Sequence, residues 1–281
     1  MAKLDKSQYT KEEWKRIRNE RRRQKELSRR EKELKELTKV NPQTGDSNRK
    51  LNIVCLKHGI KYSADFVNKL YNMCRRHSNL EWNFYCLTDD SNGILPPVQI
   101  LELPNYLSGW WCKPYIYSRD IPIEGDILYI DLDVVIASNF DHLWSYKPNN
   151  WCVIRDFTRS MQPDWKKYNS SVIRFKKGQL NHVWEEFNKN PQQVIGSYFG
   201  DQDWLWAKTQ GTAELWPDQW IRSYKWEIRK SKQLTAGTKG NRRFMEIDNE
   251  ARPNDDCCIA VFHGDPNPNM VDDLWVKQNW K

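Results

Sequence analysis

The hydrophobic pattern changes period twice between residues 51 and 87. Almost unbroken apolar runs, typical of buried strands, cover Leu51–Leu56 and Trp82–Leu87. Between them the apolar residues recur every three or four positions, as at Phe66 and Leu70, which predicts a helix from about Ser63 to Arg76. The succession of strand, helix and strand predicts a parallel sheet covered by helices.

A third apolar run, from Gly125 to Ile136, contains two aspartates, Asp131 and Asp133, and follows a short helix predicted around Trp111–Ser118. Side chains two residues apart on a strand point to the same side, so these carboxylates can bind one cation. Burying each carboxylate without compensation costs on the order of several kcal/mol. We therefore expect a divalent metal here. A solvated Asp-x-Asp loop is the alternative, which the apolar flanks disfavour.

The second half of the chain is less regular. Strands are predicted near Trp151–Arg155, Ser171–Phe175 and Cys258–Phe262, and helices near Asn181–Asn188 and Asp201–Thr209. In parallel α/β sheets, ligands bind at the carboxyl ends of the strands. The polar residues expected at or just after such ends are Asp89, Asp133 and His263, with Leu56 beside them.

Charge is distributed unevenly along the 281 residues. The composition, 38% hydrophobic and 13% aromatic, suffices for a sizeable core, although the mean hydropathy of −0.89 is low for a globular protein. The first fifty residues hold 17 Lys and Arg against 9 Asp and Glu, which accounts for the whole net charge of +8. We therefore predict a basic extension over residues 1–40, a linker over 41–50 and one neutral domain over 51–281.

The basic extension has the pattern of a solvated helix. Residues 11–39 contain no Gly or Pro and alternate Glu with Lys or Arg at three- and four-residue spacing, but have too few apolar positions for a long coiled coil. Such a helix can simply keep the protein soluble. Contact with nucleic acid, an anionic membrane or a partner protein, through Arg21–Arg23 and Arg29–Arg30, is the other interpretation.

The seven cysteines form no Cys-x-x-Cys pair, which excludes a zinc ribbon and gives no disulfide framework. We predict reduced, mostly buried thiols. The N-terminus lacks the apolar segment of a signal peptide, and no run approaches the roughly 18 apolar residues of a membrane span. The expected location is cytoplasmic, at most peripheral at a membrane.

Four motifs occur in one order along the chain: the Asp-x-Asp pair, Asn169-Ser170-Ser171, Asp201-Gln202 and His263-Gly264. With them, residues 51–275 resemble the retaining glycosyltransferases of the GT-A fold, the family-8-like group that includes glycogenin and the bacterial lipopolysaccharide galactosyltransferases. The resemblance implies an α/β, Rossmann-like fold with a mixed, mainly parallel sheet flanked by helices. It also implies transfer of a hexose from a nucleotide sugar, expected to be UDP-linked, with retention.

The resemblance implies the following site. Asp131, Asp133 and His263 would hold Mn²⁺, or Mg²⁺, against the diphosphate of the donor. Lys113 would reach the donor, and Asn169 would lie beside the transferred sugar. The remaining donor-binding positions would be Leu56, Lys57, His58, Tyr62, Asp89, Leu132 and Gly264, with the aromatic ring of Tyr62 stacking on the nucleotide base.

The Asp201-Gln202 pair would face the side of the sugar opposite the leaving group. A glutamine amide is a poor nucleophile, so Gln202 is expected to orient or stabilise an oxocarbenium-like sugar. Asp201 would hold sugar hydroxyls, although an N-cap of the following helix is an equally physical role. The acceptor is open among glycan, lipid, protein and nucleic acid; Trp110, Trp111 and Trp204 are candidates to line its site.

Two positions depart from the family pattern. Asn267 stands where a lysine would contact the β-phosphate, and Lys57, Lys239, Arg242 or Arg243 are candidates to replace it. Ser171 replaces a glycine beside the sugar, which leaves the identity of the sugar open.

Two other classes of protein compete with this interpretation. In a haloacid dehalogenase-type phosphatase, Asp131 would be the phosphorylated nucleophile and Asp133 the general acid, but that motif usually ends the first strand of the fold. The other alternative is a non-catalytic nucleic-acid-binding protein with a degenerate transferase body, which the full set of site residues disfavours.

Overall fold

The computed structural model describes Thr10, Trp14, Ile17, Arg21, residues 49–229, the backbone of 233–234 and 243–244, and residues 252–281. The chain divides into two units, residues 1–45 and 46–281. In the first unit the backbone is helical at Trp14, Ile17 and Arg21. The rest of the predicted basic helix, and with it most of the arginines expected to contact nucleic acid or membrane, lies outside the described residues.

Seven strands form the main sheet of the second unit. In chain order they are β1 (Leu51–Lys57), β2 (Asn83–Thr88), β3 (Gln99–Glu102), β4 (Asp126–Ile130), β6 (Cys152–Arg155), β7 (Tyr168–Lys176) and β8 (Glu214–Leu215). Their spatial order is β3-β2-β1-β4-β7-β6-β8. Strands β3, β2, β1 and β4 are parallel, whereas β7 is antiparallel to both of its neighbours. The predicted mixed, mainly parallel sheet is confirmed.

A second sheet has the order β5-β12-β9, from β5 (Val134–Ile136), β9 (Ile221–Ser223) and β12 (Ile259–Val261). Strand β12 is antiparallel to β5 and parallel to β9. A two-stranded ribbon joins β10 (Gln233–Leu234) to β11 (Arg243–Phe244). The prediction of one continuous strand through the Asp-x-Asp pair is wrong, because the chain leaves the main sheet after Ile130, bends, and enters the second sheet at Val134.

The helices are α1 (Ala64–His77), α2 (His142–Ser145), α3 (Asn181–Lys189), α4 (Pro191–Ser197), α5 (Asp201–Thr209) and α6 (Leu274–Asn279). Within the described part of the chain, 3₁₀ segments cover Gly109–Tyr117, Phe157–Ser160 and Pro268–Met270, and a π-helical turn covers Tyr224–Ile228. The predicted helices near 63–76, 181–188 and 201–209 are confirmed. The segment predicted near 111–118 is a 3₁₀ helix, in which Pro114 lacks the backbone N–H that an α-helix would use.

Large aromatic side chains pack the core on the face of the main sheet that α3 and α5 cover. Trp111 stacks on Phe187 with ring centroids 5.7 Å apart, and Trp204 donates from Nε1 to the carbonyl of Val183 at 3.0 Å. Trp111 and Trp204 are 7% and 4% exposed and pack into the core, whereas Trp110 is 60% exposed. Trp110 is therefore the accessible candidate for an acceptor site, and the role of the other two stays a prediction.

The seven cysteines are all buried, as predicted, and none is paired in a disulfide. Among the described residues, no helix is both long and apolar enough to cross a membrane.

Candidate active site

One edge of the main sheet collects most of the predicted site residues. The parallel strands β1, β2 and β4 end there, and the antiparallel strand β7 begins there. The backbone N–H of Asp131 donates to the carbonyl of Ser171 at 2.8 Å, which fixes the Asp-x-Asp bend against the start of β7. Sheet topology therefore brings together motifs that lie about forty residues apart in sequence.

A buried ammonium group joins three of these motifs. Lys113 lies in the 3₁₀ segment and is 7% exposed. Its Nζ lies 3.0 Å from Oδ1 of Asp131, 3.5 Å from Oδ2 of Asp201 and 3.0 Å from Oγ of Ser170. Ser170 in turn donates to Oδ2 of Asp201 at 2.7 Å, and the Tyr129 hydroxyl donates to Oδ1 of Asp131 at 2.6 Å. We call Lys113, Asp131, Ser170 and Asp201 the lysine cluster.

The electrostatics of the lysine cluster follow from burial and pairing. Burial lowers the pKa of Lys113, but the carboxylates of Asp131 and Asp201 outweigh it, so the pKa is raised and the ammonium keeps its charge. Burial raises the pKa of Asp201, opposed by Lys113 and by the hydrogen bond from Ser170. The cluster therefore holds ionised groups in fixed positions away from water.

Asp133 lies beyond the bend, where Lys61 and the hydroxyl of Tyr62 partly compensate its charge. The hydroxyl of Tyr62 donates to its Oδ2 at 3.0 Å. Burial, and next the negative charge of Asp131, raise the pKa of Asp133 to about 6. Two neighbouring buried carboxylates with hard oxygen atoms fit a divalent cation such as Mn²⁺ or Mg²⁺, which would relieve this repulsion.

His263 follows β12 and lies next to the Asp-x-Asp bend, since the N–H of Phe262 donates to the carbonyl of Asp133 at 2.8 Å. Its Nε2, however, is 2.7 Å from Oγ of Ser223, and its ring stacks on Phe157 at a centroid distance of 5.2 Å. Within the described part of the chain, no three His, Cys, Asp or Glu side chains are grouped as metal ligands. The structure thus does not bring His263 together with both aspartates, and its role as a ligand stays a prediction.

A cleft of about 400 Å³ lies beyond the ends of β1 and β2. Predicted donor-binding residues His58 and Asp89 line it, together with Glu102 and Asn105. Asp89 accepts from the backbone N–H of Gly59 at 3.0 Å, and Nδ1 of His58 accepts from the N–H of Gly109 at 3.2 Å. The loop after β1 is thereby fixed against both β2 and the 3₁₀ segment that carries Lys113.

The other predicted donor residues have varied surroundings. Leu56 is half-buried at the end of β1, Leu132 is buried within the bend, and Gly264 is exposed after His263. Lys57 donates to the backbone carbonyl of Asp90 at 3.0 Å. The ring of Tyr62 packs against Phe66, with centroids 5.0 Å apart, and its hydroxyl is engaged by Asp133.

The residues predicted beside the sugar lie on two neighbouring elements. Asn169 is buried at the start of β7, and its Oδ1 accepts from the N–H of Ser171 at 3.1 Å. Asp201 and Gln202 are the first two residues of α5. Gly200 is the N-cap of this helix, so the alternative role of Asp201 as N-cap is wrong; its carboxylate is used by Ser170 and Lys113 instead.

Sequence reasoning missed four polar contacts: the hydroxyls of Ser170, Tyr129 and Ser223, and the ammonium of Lys225, which lies next to Gly264. The first two could have been found, because Ser170 follows Asn169 directly and Tyr129 lies on β4 two positions before Asp131. The other two come from β9 and the π-helical turn, for which the sequence pattern gives no signal.

No protein-family model and no curated protein sequence matches the chain. Solved structures do match. An active-site mutant of LgtC superposes with a TM-score of 0.53 at 12% identity, covering 79% of this chain and 91% of LgtC. The glycosyltransferase GlyE of Streptococcus pneumoniae TIGR4 gives 0.55 at 14% identity, covering 82% and 60%, and the bifunctional glycosyltransferase WbbM gives 0.50 at 12% identity, covering 84% and 52%.

The chain therefore spans most of LgtC but little more than half of GlyE and WbbM. At these identities the likeness shows the fold: the second unit has the GT-A fold of glycosyltransferases, as the sequence motifs predicted.

Proposed function

We propose that the protein is a metal-dependent glycosyltransferase that moves a hexose from a nucleotide sugar, expected to be UDP-linked, to an acceptor hydroxyl with retention. The observation that carries the proposal is the lysine cluster. It places Lys113, Asp131 and Asp201 together at the strand-end edge of a GT-A fold. This is the edge at which open α/β sheets bind their ligands.

Asp131 and Asp133 would hold Mn²⁺ or Mg²⁺, and His263 is the candidate third ligand. When bound, the cation would neutralise the charge that develops on the departing nucleoside diphosphate. Tyr129 and Lys113 each contact the carboxylate of Asp131, and Tyr62 contacts that of Asp133. Outer contacts of this kind fix the orientation of metal-binding carboxylates.

The sugar would lie against the start of β7 and the first turn of α5. Asp201 already accepts from Ser170 and lies near Lys113, and a carboxylate has further lone pairs for sugar hydroxyls. The amide of Gln202 makes no hydrogen bond to another described residue and is only partly buried. It can therefore orient the sugar and stabilise an oxocarbenium-like state by its dipole, without acting as the nucleophile.

The nucleoside would occupy the cleft beyond β1 and β2. Its acceptor groups, among them the carboxylates of Asp89 and Glu102, can receive hydrogen bonds from ribose hydroxyls and base N–H groups. The fold argues against the haloacid dehalogenase-type alternative, and so does Asp131, because Tyr129 and Lys113 engage the carboxylate that would have to act as nucleophile.

The test is Mn²⁺-dependent release of nucleoside diphosphate from a panel of nucleotide sugars, measured for the wild type, Asp133→Asn and His263→Ala. Lys208→Met is the control for the effect of a substitution outside the lysine cluster, since Lys208 on α5 pairs with Glu186 on α3. We expect both site variants to lose turnover and metal affinity and the control to keep them. Unchanged turnover and metal affinity in both site variants would overturn the site assignment, and hydrolysis of an aryl phosphate through an aspartyl-phosphate would favour the phosphatase.

A further inference from the structure

Lys225 is a buried lysine beside the candidate metal site. It lies in the π-helical turn directly after β9 and is 7% exposed. Because β9 and β12 are parallel, with Ser223 opposite Val261, the chain segments that follow them leave the second sheet side by side. The Nζ of Lys225 lies 3.3 Å from the position that a Cβ atom of Gly264 would occupy.

The same turn surrounds the residues after β12. Oγ of Ser223 is 2.7 Å from Nε2 of His263, and the ring of Trp226 meets the His263 ring edge-on with centroids 4.6 Å apart. On its other side, β12 pairs with β5, and Phe262 binds the backbone of Asp133. Lys225 is therefore connected to the Asp-x-Asp bend through one intervening strand. π-Turns occur often at functional sites.

Gly264 lies directly against the Lys225 ammonium. It is exposed and has a φ of +69°, a left-handed conformation that glycine adopts without strain. A Cβ atom here would crowd Nζ at 3.3 Å. The glycine thus allows an exposed backbone to lie directly against the ammonium group, at a position predicted to bind the donor.

The charge balance of the site calls for such a cation. Among the described residues, the carboxylates of Asp131, Asp133 and Asp201 outnumber the two ammonium groups that act on them, those of Lys113 and Lys61. A divalent cation would offset that excess. The diphosphate of a nucleotide sugar then adds about two negative charges, for which further positive groups are required within a few ångströms.

We infer that Lys225 binds the diphosphate of the donor, a role that rests on the proposed function. Lys225 supplies the contact between a lysine and the β-phosphate that the asparagine at position 267 cannot make. Of the replacements considered from sequence, Lys57 is turned to the carbonyl of Asp90, while the side chains of Lys239, Arg242 and Arg243 lie outside the described residues. An ammonium with its stem buried is pre-positioned, and a phosphate that reaches it is paired away from bulk water.

The experiment measures binding by isothermal titration calorimetry at saturating Mg²⁺, with the full-length protein. The probes are UDP, GDP, ADP and CDP, and the nucleoside of whichever diphosphate binds. The variants are Lys225→Met and Lys225→Arg, with Lys208→Met as the control for loss of a lysine that pairs with Glu186 outside the lysine cluster. Circular dichroism verifies that each variant is folded.

Lys225→Met is expected to weaken diphosphate binding by about 10- to 100-fold, the range of a hydrogen bond to a charged group. Nucleoside affinity should stay unchanged, Lys225→Arg should recover part of the loss, and Lys208→Met should bind as the wild type does. Equal diphosphate affinity in Lys225→Met and the wild type would overturn the role of Lys225 alone. Failure of the wild type to bind any of the four diphosphates would overturn the proposed function together with it.

A second measurement covers the case in which Lys225→Met does not fold. In a crystal structure of the wild type with the bound diphosphate and Mg²⁺, Nζ of Lys225 should lie about 3 Å from a phosphate oxygen, a hydrogen-bonding distance. A phosphate that lies beyond hydrogen-bonding reach of Nζ contradicts the inference.

Discussion

Replacing Lys113 by methionine tests the lysine cluster on the protein itself, without substrate. Methionine has a similar length and no charge, so it fills the space of the buried lysine stem while removing the ammonium group. The substitution leaves Asp131 and Asp201 without their shared cation at distances of 3.0 and 3.5 Å. What remains is a pair of largely buried carboxylates of like charge, with 22% and 12% of their side-chain surface exposed.

The expected cost follows from that burial. Removing one partner of a buried ion pair costs about 3–5 kcal/mol, because an uncompensated charge stays in the interior. For a body of this size, each kcal/mol shifts the midpoint of thermal unfolding by about 2–4 °C, so Lys113→Met should lower Tm by roughly 6–20 °C. Lys208→Met removes an ion pair whose side chains are partly solvated, and should cost about 1 kcal/mol or less.

Urea unfolding followed by tryptophan fluorescence measures both free energies, with EDTA present so that no cation replaces the lysine. The double variant Lys113→Met/Asp201→Asn provides an internal check, since it removes one of the two uncompensated charges and should be more stable than Lys113→Met alone. A Lys113→Met free energy of unfolding within about 1 kcal/mol of the wild type, the size expected for a surface pair, would refute the buried-cluster reasoning.

Three further predictions concern other parts of the molecule. Burial lowers the pKa of His142 to about 4 in the folded protein, so as pH drops the imidazole is protonated first in the unfolded chain. The free energy of unfolding should therefore fall as pH drops from above 6.5 towards 4. Urea unfolding should show a loss of up to about 2 kcal/mol between pH 7 and pH 5. His142→Phe should abolish most of that slope, and an unchanged slope would show that other groups cause it. Tyr62→Phe removes the hydrogen bond to Asp133 and should weaken Mn²⁺ binding, measured by calorimetry, about 10-fold with little change in Tm. Mn²⁺ affinity equal to that of the wild type would show that this hydrogen bond does not position the Asp133 carboxylate. Deletion of residues 1–48 keeps Arg49, which pairs with Asp126 at 2.5 Å, and should leave the binding of nucleoside diphosphate unchanged. Loss of that binding would show that the basic extension contributes to the donor site.

Strands β1, β2 and β4 could be predicted from sequence because they are apolar over most of their length. Both faces of β1 and β4 are covered, so nearly every position is buried and the runs stand out. Strand β3, by contrast, is largely exposed and follows a Pro-rich segment, so no apolar run marks it in the sequence. The break at Asp131–Asp133 was missed because β4 and β5 are both apolar, although they belong to different sheets.

Lys113, Asp131 and Asp201 could be singled out from sequence as candidates, but their contacts with one another could not. The pairing of Lys113 with Asp131 and Asp201 depends on β7 running antiparallel to β4, which brings Ser170 and Asp131 to one edge. No local pattern encodes that neighbour relation. Lys225 illustrates the same limit: it lies in an irregular turn, and only the pairing of β9 with β12 places it beside Gly264.

The central claim, that these residues form the donor site of a glycosyltransferase, is tested most directly by incubating the purified protein with UDP-hexoses and Mn²⁺ and measuring the release of UDP. The account predicts release by the wild type, its loss on chelation of the metal, and its loss in Asp133→Asn but not in Lys208→Met. UDP release that persists undiminished in Asp133→Asn, or hydrolysis of aryl phosphates in place of every nucleotide sugar, would contradict it.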